Sequence, residues 1–293
     1  MPARLPLPPP AVLPGSGRKE HARACRRADD LVIAGLVPLS TVDWPDHLTA
    51  TVFTQGCPWD CTYCHNQALI PTQAPGLVAW QEVRDLLARR AGLLDGVVLT
   101  GGEPLRQDAL AAAAAEVRGA GFAVGLHTAG AYPRRLRDLV RRGLLDWVGL
   151  DVKALPEHYR EVVGRPHAGA RAWESLRVLL EAVAGRRGSH GRGLRGRSPG
   201  GSAPDRLPSF PDVFPDVEVR TTVVPGDVTA TDAYEVARRV HDMGVRTYAL
   251  QQARSKGARE GLVATVPGWD AQCEDLAARI EALGWERFTY RPA

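Results

Sequence analysis

Gln55-Gly56-Cys57-Pro58-Trp59-Asp60-Cys61-Thr62-Tyr63-Cys64-His65-Asn66 decides how this chain is read, because it sets three cysteines in a C-x3-C-x2-C spacing directly after an apolar run. Three thiolates this close along the backbone can hold three corners of one iron–sulfur cube. A cube that only passes electrons is normally closed by four cysteines, so the missing fourth leaves one iron open to a small molecule. Two other readings use the same residues. A zinc knot needs four tetrahedral ligands, and the only nearby fourth, His65, is adjacent to Cys64 and badly placed to reach the same ion. Cys61-Thr62-Tyr63-Cys64-His65 also matches the C-x-x-C-H attachment pattern of c-type haem, but that reading leaves Cys57 idle and expects an exported chain. The opening Met1-Pro2-Ala3-Arg4-Leu5-Pro6-Leu7-Pro8-Pro9-Pro10 is broken by prolines where a signal peptide would be continuously apolar.

Composition narrows the class. The chain has 293 residues, 44% of them apolar, enough for one large domain, and no window approaches the run of about 20 apolar residues that crosses a membrane. Five cysteines, an odd number with Cys25 and Cys273 far from the rest, fit a reducing cytoplasm better than a disulfide framework. Cys273 falls on a helical stripe with Leu276, Ile280 and Leu283 and reads as core. The net charge of +4 is unevenly spread: residues 1–29 carry +4 and residues 185–206 carry +5, so the body is mildly acidic. Nucleic acid is therefore not an expected partner. A Pro-rich tail over 1–29 and an Arg/Gly-rich insertion over about 185–212 have the composition of disorder, and residues 30–293 form the folded domain around that insertion.

From Leu48 onward, short apolar runs alternate with amphipathic stretches, the pattern of strand–helix units around a parallel sheet. Six runs are readable: 49–54, 96–100, 122–128, 146–152, 217–224 and 247–251. Their starts are 47, 26, 24, 71 and 30 residues apart, where about 30 suits one unit, and the two long gaps hold the cysteine loop and the insertion. Six units are too few to close an eight-stranded barrel, so an α/β fold is expected: an open, partial (β/α)6 TIM-like barrel with its site at the carboxyl ends of the strands. The notable polar residues fall there: Cys57 after the first run, Gly101-Gly102-Glu103-Pro104 after the second, His127-Thr128 after the third, and Asp151 and Lys153 after the fourth. Arg220 lies within the fifth run, and Gln251 to Arg254 close the sixth.

Glycines without a Cβ let backbone approach a neighbour closely, and a carboxylate beside a cluster can accept charge-assisted hydrogen bonds from an ammonium. The cysteine loop with its aromatic Tyr63, followed by Thr100-Gly101-Gly102-Glu103-Pro104, resembles the signature of the radical S-adenosylmethionine (radical SAM) enzymes. Ser40-Thr41-Val42-Asp43-Trp44-Pro45, the trailing His65-Asn66 and Asp151-Val152-Lys153 are similar to the glycyl-radical-enzyme activases of that superfamily, above all to those of anaerobic (class III) ribonucleoside-triphosphate reductase.

The resemblance implies one 4Fe–4S cluster on Cys57, Cys61 and Cys64, with S-adenosyl-L-methionine on the open iron. It further implies that backbone around Tyr63, Cys64 and His65 faces adenine. Gly101, Gly102 and Glu103 would hold the methionine end, Asp151 and Lys153 would line the cofactor, and Arg220 and Arg254 would reach its polar groups. An acidic residue found before the threonine in a relative is His127 here, which leaves any cation site at His127 and Thr128 unsupported. The implied activity is reductive cleavage of the cofactor and removal of a hydrogen from one glycine of the partner reductase, with electrons from a low-potential donor such as flavodoxin or ferredoxin. The same motifs would also suit a radical SAM enzyme acting on a small molecule, such as one like 7-carboxy-7-deazaguanine synthase.

Overall fold

The computed structural model describes residues 26–189 and 216–293. Its centre is one eight-stranded sheet in the order of the chain: β1 (Ile33–Ser40), β2 (Thr49–Thr54), β3 (Gly96–Gly101), β4 (Ala123–Thr128), β5 (Trp147–Asp151), β6 (Asp216–Val223), β7 (Thr247–Gln252) and β8 (Arg287–Arg291). β1 pairs antiparallel to β2, and every later neighbour is parallel. The helices between parallel strands are α1 (Trp80–Arg90), α2 (Leu110–Gly119), α3 (Pro133–Arg141), α4 (Tyr159–Val163), α5 (Ala168–Ser189), α6 (Val228–Asp242) and α7 (Trp269–Glu281). β1 and β8 do not pair with each other, so the sheet is an open partial barrel, as the unit count predicts.

All six expected strands form, each within a residue or two of its expected bounds. The two further strands are the edges. β1 contains Gly35 and Pro38, residues that weaken a strand reading, and an edge is where a sheet tolerates them. β8 is a short, half-buried alternation, Arg287-Phe288-Thr289-Tyr290-Arg291. The expected tail lies outside the described residues up to Cys25, and Ala28–Asp30 form a single 3-10 turn. The backbone of α5 continues to Ser189, and residues 190–212 of the expected insertion also lie outside the described residues.

The register divides the sheet into two chemistries. One face carries Val52, Val97, Leu99, Val124, Leu126, Val148, Leu150, Val219, Tyr248 and Leu250, all fully buried in the main core under the helices. The other, concave face carries Thr51, Thr100, His127, Asp151, Glu218, Arg220, Thr222, Gln251 and Arg291, brought into rows by the pairings His127↔Gly149↔Glu218 and Asp151↔Arg220. A barrel interior meant only for packing is filled with branched apolar side chains. This one is built to hold something polar.

Aromatic residues close the amino ends of the strands. The β1–β2 connection inserts Trp44, stacked on Trp147 at 5.6 Å and on His47 at 4.4 Å, with Val98 completing a separate small core. Gly125 makes this possible, since a Cβ there would fall 2.8 Å from the Trp44 ring. The Asp43 carboxylate accepts a 2.6 Å hydrogen bond from Thr51 and fixes the same turn. Trp44→Ala is expected to cost about 3 kcal/mol, the usual scale for deleting a buried aromatic ring. A urea midpoint that falls by less than about 1 kcal/mol equivalent would show that the ring does not carry the floor.

Candidate functional site

The cysteine loop begins where β2 ends and is held from three sides. Gly56 and Cys57 donate backbone hydrogen bonds to Leu69 and Ile70 (2.8 and 3.1 Å), so the loop folds back against its own return segment. The Gln55 side-chain amide caps that segment at the Ala68 and Pro71 carbonyls, and Gln67 donates to the Cys64 carbonyl at 2.9 Å. On the second side, the last carbonyls of α4, which have no partner within the helix, receive the loop: Thr62 N–H donates to Val162 at 2.9 Å and Asp60 N–H to Val163 at 3.2 Å. Trp59, buried, packs edge-on against Tyr159 of α4 at 5.8 Å.

The third side is the glycine turn after β3. Gly102 N–H donates to the Thr54 carbonyl at 2.9 Å and Glu103 N–H to the Gly56 carbonyl at 3.0 Å. Gly101 adopts φ +122°, and a Cβ on it would fall 2.3 Å from the Thr54 nitrogen; one on Gly102 would fall 2.5 Å from the Gly56 oxygen. The close approach that these glycines permit is therefore to the chain itself: backbone lies on backbone, and any side chain would push the loop away. Glu103 follows, fully buried, with its carboxylate accepting from Leu105 N–H (3.0 Å), Ala129 N–H (3.0 Å) and the Thr128 hydroxyl (2.7 Å). Burial raises its pKa, and these donors pull it back.

Asp151 and Lys153 meet at 3.2 Å at the end of β5. Lys153 is buried and lies 5.3 Å from the centroid of the Tyr63 ring, which ties the fourth strand end to the cysteine loop. Burial works against the Lys153 ammonium, but Tyr63, Asp151 and Cys61 beside it hold its pKa well above the ordinary value. Tyr159 braces the pair, its hydroxyl accepting from Lys153 N–H at 3.0 Å and donating to the Asp151 carbonyl at 3.3 Å. Arg220, from β6, lies on the concave face over Trp147 at 5.0 Å, with Nε on Glu218 at 2.8 Å.

Of the residues singled out in the sequence, Cys57, Cys61, Cys64, Tyr63, His65, Gly101, Gly102, Glu103, Asp151 and Lys153 gather around one loop. Arg254 is exposed and meets the loop with its backbone N–H, 3.4 Å from His65 Nε2. Sequence reasoning named Thr128 at its strand end without its contact to Glu103, and missed Tyr159 and Glu218. The Glu218-x-Arg220 alternation on one strand face was a visible signal for the last, whereas nothing marked Tyr159.

The donor set fits a cluster. Burial pushes the Cys57 thiol up to about 12 and also raises Cys61, with Lys153 opposing, so thiolates here need a strong cationic partner such as iron. Among the described residues, no group of three or more His, Cys, Asp and Glu is placed to share a single metal ion. The hydroxyls of Tyr63 and Thr62, buried beside the cysteines, have no hydrogen-bond partner among the described residues.

Comparison with known proteins agrees with this geometry. Residues 51–189 match the family model of the Radical SAM superfamily. A Methanocaldococcus jannaschii protein, provisionally named glycyl-radical enzyme activating enzyme MJ1227, is 29% identical over 228 residues, covering 78% of this chain and 82% of that one. A Haemophilus influenzae protein with a similar provisional name is 34% identical over 71 residues, 24% of this chain and 27% of its own. Among solved structures, a radical SAM methyltransferase from Sphaerobacter thermophilus superposes with a TM-score of 0.54 at 19% identity, over 85% of this chain and 67% of that one. Streptococcus suis SuiB bound to S-adenosylmethionine gives 0.52 at 8% identity over 82% of this chain, which spans about half (48%) of SuiB. These superpositions speak for the fold.

Residues 51–189 are thus similar to the radical SAM superfamily, whose members work with a 4Fe–4S cluster and S-adenosyl-L-methionine. No helix among the described residues is long and apolar enough to cross a membrane. Gly102→Ala is expected to lift the cysteine loop off the turn, so that anoxically reconstituted protein loses most of its iron while its far-ultraviolet circular dichroism stays unchanged. Full iron content in this variant would contradict the backbone docking described above.

Proposed function

We propose that this protein is a glycyl-radical-enzyme activase whose partner is an anaerobic ribonucleoside-triphosphate reductase, supplied with electrons by a low-potential carrier such as flavodoxin or ferredoxin. The observation that carries the activase reading is the match to the Methanocaldococcus jannaschii protein over most of both chains, and the choice of reductase as partner rests on the resemblance of the sequence motifs. The open sheet supports it. Next to the cysteine loop lies a cleft of about 520 Å³ lined by Ala34, Gly35, Phe53, His65–Leu69 and Gly257, with no Asp, Glu, Lys or Arg in its wall. A wall of that kind suits a loop of protein backbone centred on a glycine better than a charged metabolite.

Cys57, Cys61 and Cys64 would hold three irons of the cluster and leave the fourth to the cofactor's amino and carboxylate groups. When bound, cluster and cofactor supply one-electron reduction of a sulfonium and hydrogen-atom abstraction from a carbon. The work of the polypeptide is positional. Gly101, Gly102 and Glu103 would seat the methionine end, with Thr128 and Ala129 keeping the Glu103 carboxylate in one orientation. Asp151 and Lys153, braced by Tyr159, would line the cofactor's flank, and backbone from Tyr63 to His65 would face the adenine. Arg220 would meet a carboxylate or ribose, and Arg254 would stand at the rim. Burial around Cys61 and Tyr63 keeps water from the reacting centre.

The test is an airless turnover assay with reductant, cofactor and reductase. Wild type is expected to release 5′-deoxyadenosine and to leave a glycyl-radical doublet in the electron paramagnetic resonance spectrum of the reductase, and Cys61→Ala to do neither. Release of 5′-deoxyadenosine without a radical on the reductase would overturn the partner assignment.

A further inference from the structure

The outer side of the cysteine loop is a meeting point for arginines to which the scheme above gives no role. Along Gly56–Cys61, alternate residues Cys57, Trp59 and Cys61 pack against the core. The residues between them each meet an arginine from a different part of the chain. A Cβ on Gly56 would fall 3.0 Å from Nη1 of Arg106, which follows the glycine turn. The Pro58 carbonyl accepts from Nε of Arg165, in the α4–α5 connection, at 3.2 Å. The Asp60 carboxylate pairs with Arg259, in the β7–α7 connection.

Only one of these three charges is balanced at the loop. Asp60 answers Arg259. Among the described residues Arg165 has no carboxylate partner, and neither has Arg106, whose Nη2 donates to the Thr72 carbonyl at 3.3 Å. The wider rim has the same sign. The segments that meet here, residues 56–72, 104–108, 159–171 and 253–262, carry seven Lys and Arg against Asp60, Asp108, Glu161 and Glu260. Asp108 is moreover paired with Arg135 of α3. Glu103 and the Asp151–Lys153 pair lie on the inner side of the loop, engaged with Thr128 and with each other. Outside its two basic stretches the chain is mildly acidic, so this rim stands out as a positive patch on a negative body. Such a patch steers and orients an acidic protein. Gly56 and Pro58 are the chain neighbours of Cys57, so a protein seated on the rim lies within a few bonds of a cluster ligand.

We propose that the rim formed by Arg106, Arg165 and Arg259 is the docking surface of an acidic one-electron carrier protein, which reduces the cluster past Cys57. This rests on the cluster role of the cysteine loop and on the low-potential donor given above. The carrier loses one electron and the cluster gains it, and no bond or proton changes hands. The rim at Gly56–Asp60 shares no residue with the uncharged cleft at His65–Leu69 given to the glycine loop, so each partner has its own face. A positive charge beside a cluster also raises its reduction potential, and docking and potential are therefore read separately.

The test uses full-length, anoxically reconstituted protein, with a flavodoxin and a ferredoxin as probes and iron content recorded for every variant. Wild type is expected to bind at least one probe, with an affinity that falls as salt rises above about 0.1 M, where the Debye length is about 10 Å. Arg106→Gln/Arg165→Gln should bind that probe about tenfold more weakly and with a shallower salt dependence, the scale of two lost surface charge contacts. Arg165→Gln alone, at an exposed position, should give a smaller loss in the same direction. Arg89→Gln/Arg141→Gln removes the same charge from exposed positions in the last turns of α1 and α3, at the opposite end of the sheet, and should weaken binding less than about twofold. All variants should keep their iron, bind the reductase as wild type does, and be reduced by dithionite at the wild-type potential. Failure of wild type to bind either probe, unchanged binding in the rim variants, or equal losses in the rim and distant variants would overturn the proposal. So would a shifted potential with probe binding intact, or a loss confined to reductase binding. Docking and cluster reduction are read before any reductase is added, so a normal pattern followed by no glycyl radical would count against the activase reading alone.

Discussion

Backbone lying on backbone at the junction of two strand ends is the constraint from which the rest of this structure follows. The Gly101-Gly102 turn after β3 rests on the Thr54–Gly56 segment leaving β2, through two hydrogen bonds of 2.9 and 3.0 Å and with no room for a Cβ at either glycine. That contact sets where the cysteine loop starts. The carbonyl end of α4 and the return segment at Leu69 and Ile70 then hold its middle and its exit. Three cysteines on a free loop would sample many arrangements, each at an entropic cost on binding. Pinned from three sides, they are presented as a prepared donor set.

The same junction explains the charge pattern around it. Because the loop is packed against the core, Cys57 and Cys61 are poor places for bare thiolates, and Lys153 supplies a partial counter-charge from the next strand end. Lys153 is itself kept charged by Asp151 and covered by the Tyr63 ring. Each of these residues compensates for the burial of another, so the site is a coupled unit. Effects of single substitutions within it should therefore not add.

Much of this was legible in the residues. The six core strands announce themselves because their outer faces must be continuously apolar, and Val97, Leu99, Val124, Leu126, Val148 and Leu150 make a period-2 signal that few other structures produce. The cysteine spacing and the double glycine were readable because only small or chemically special residues fit there. The edges were hidden for the opposite reason. β1 carries Gly35 and Pro38, which only an unpaired edge forgives, and β8 is half exposed and short. Roles set by three-dimensional partners were also hidden. Glu103 turns its carboxylate towards Thr128 and Ala129, Tyr159 braces Asp151 and Lys153, and Glu218 is shared between two arginines. No local spacing encodes those meetings, which depend on the register of strands far apart in the chain.

The central claim is that three cysteines bind a cube of four irons and leave one for the cofactor. Mössbauer spectroscopy of protein reconstituted with ⁵⁷Fe, before and after S-adenosylmethionine is added, tests it most directly. The account predicts four irons per chain, of which one quarter of the signal changes its isomer shift when the cofactor binds. Four irons that respond alike, or no cluster at all, would contradict it.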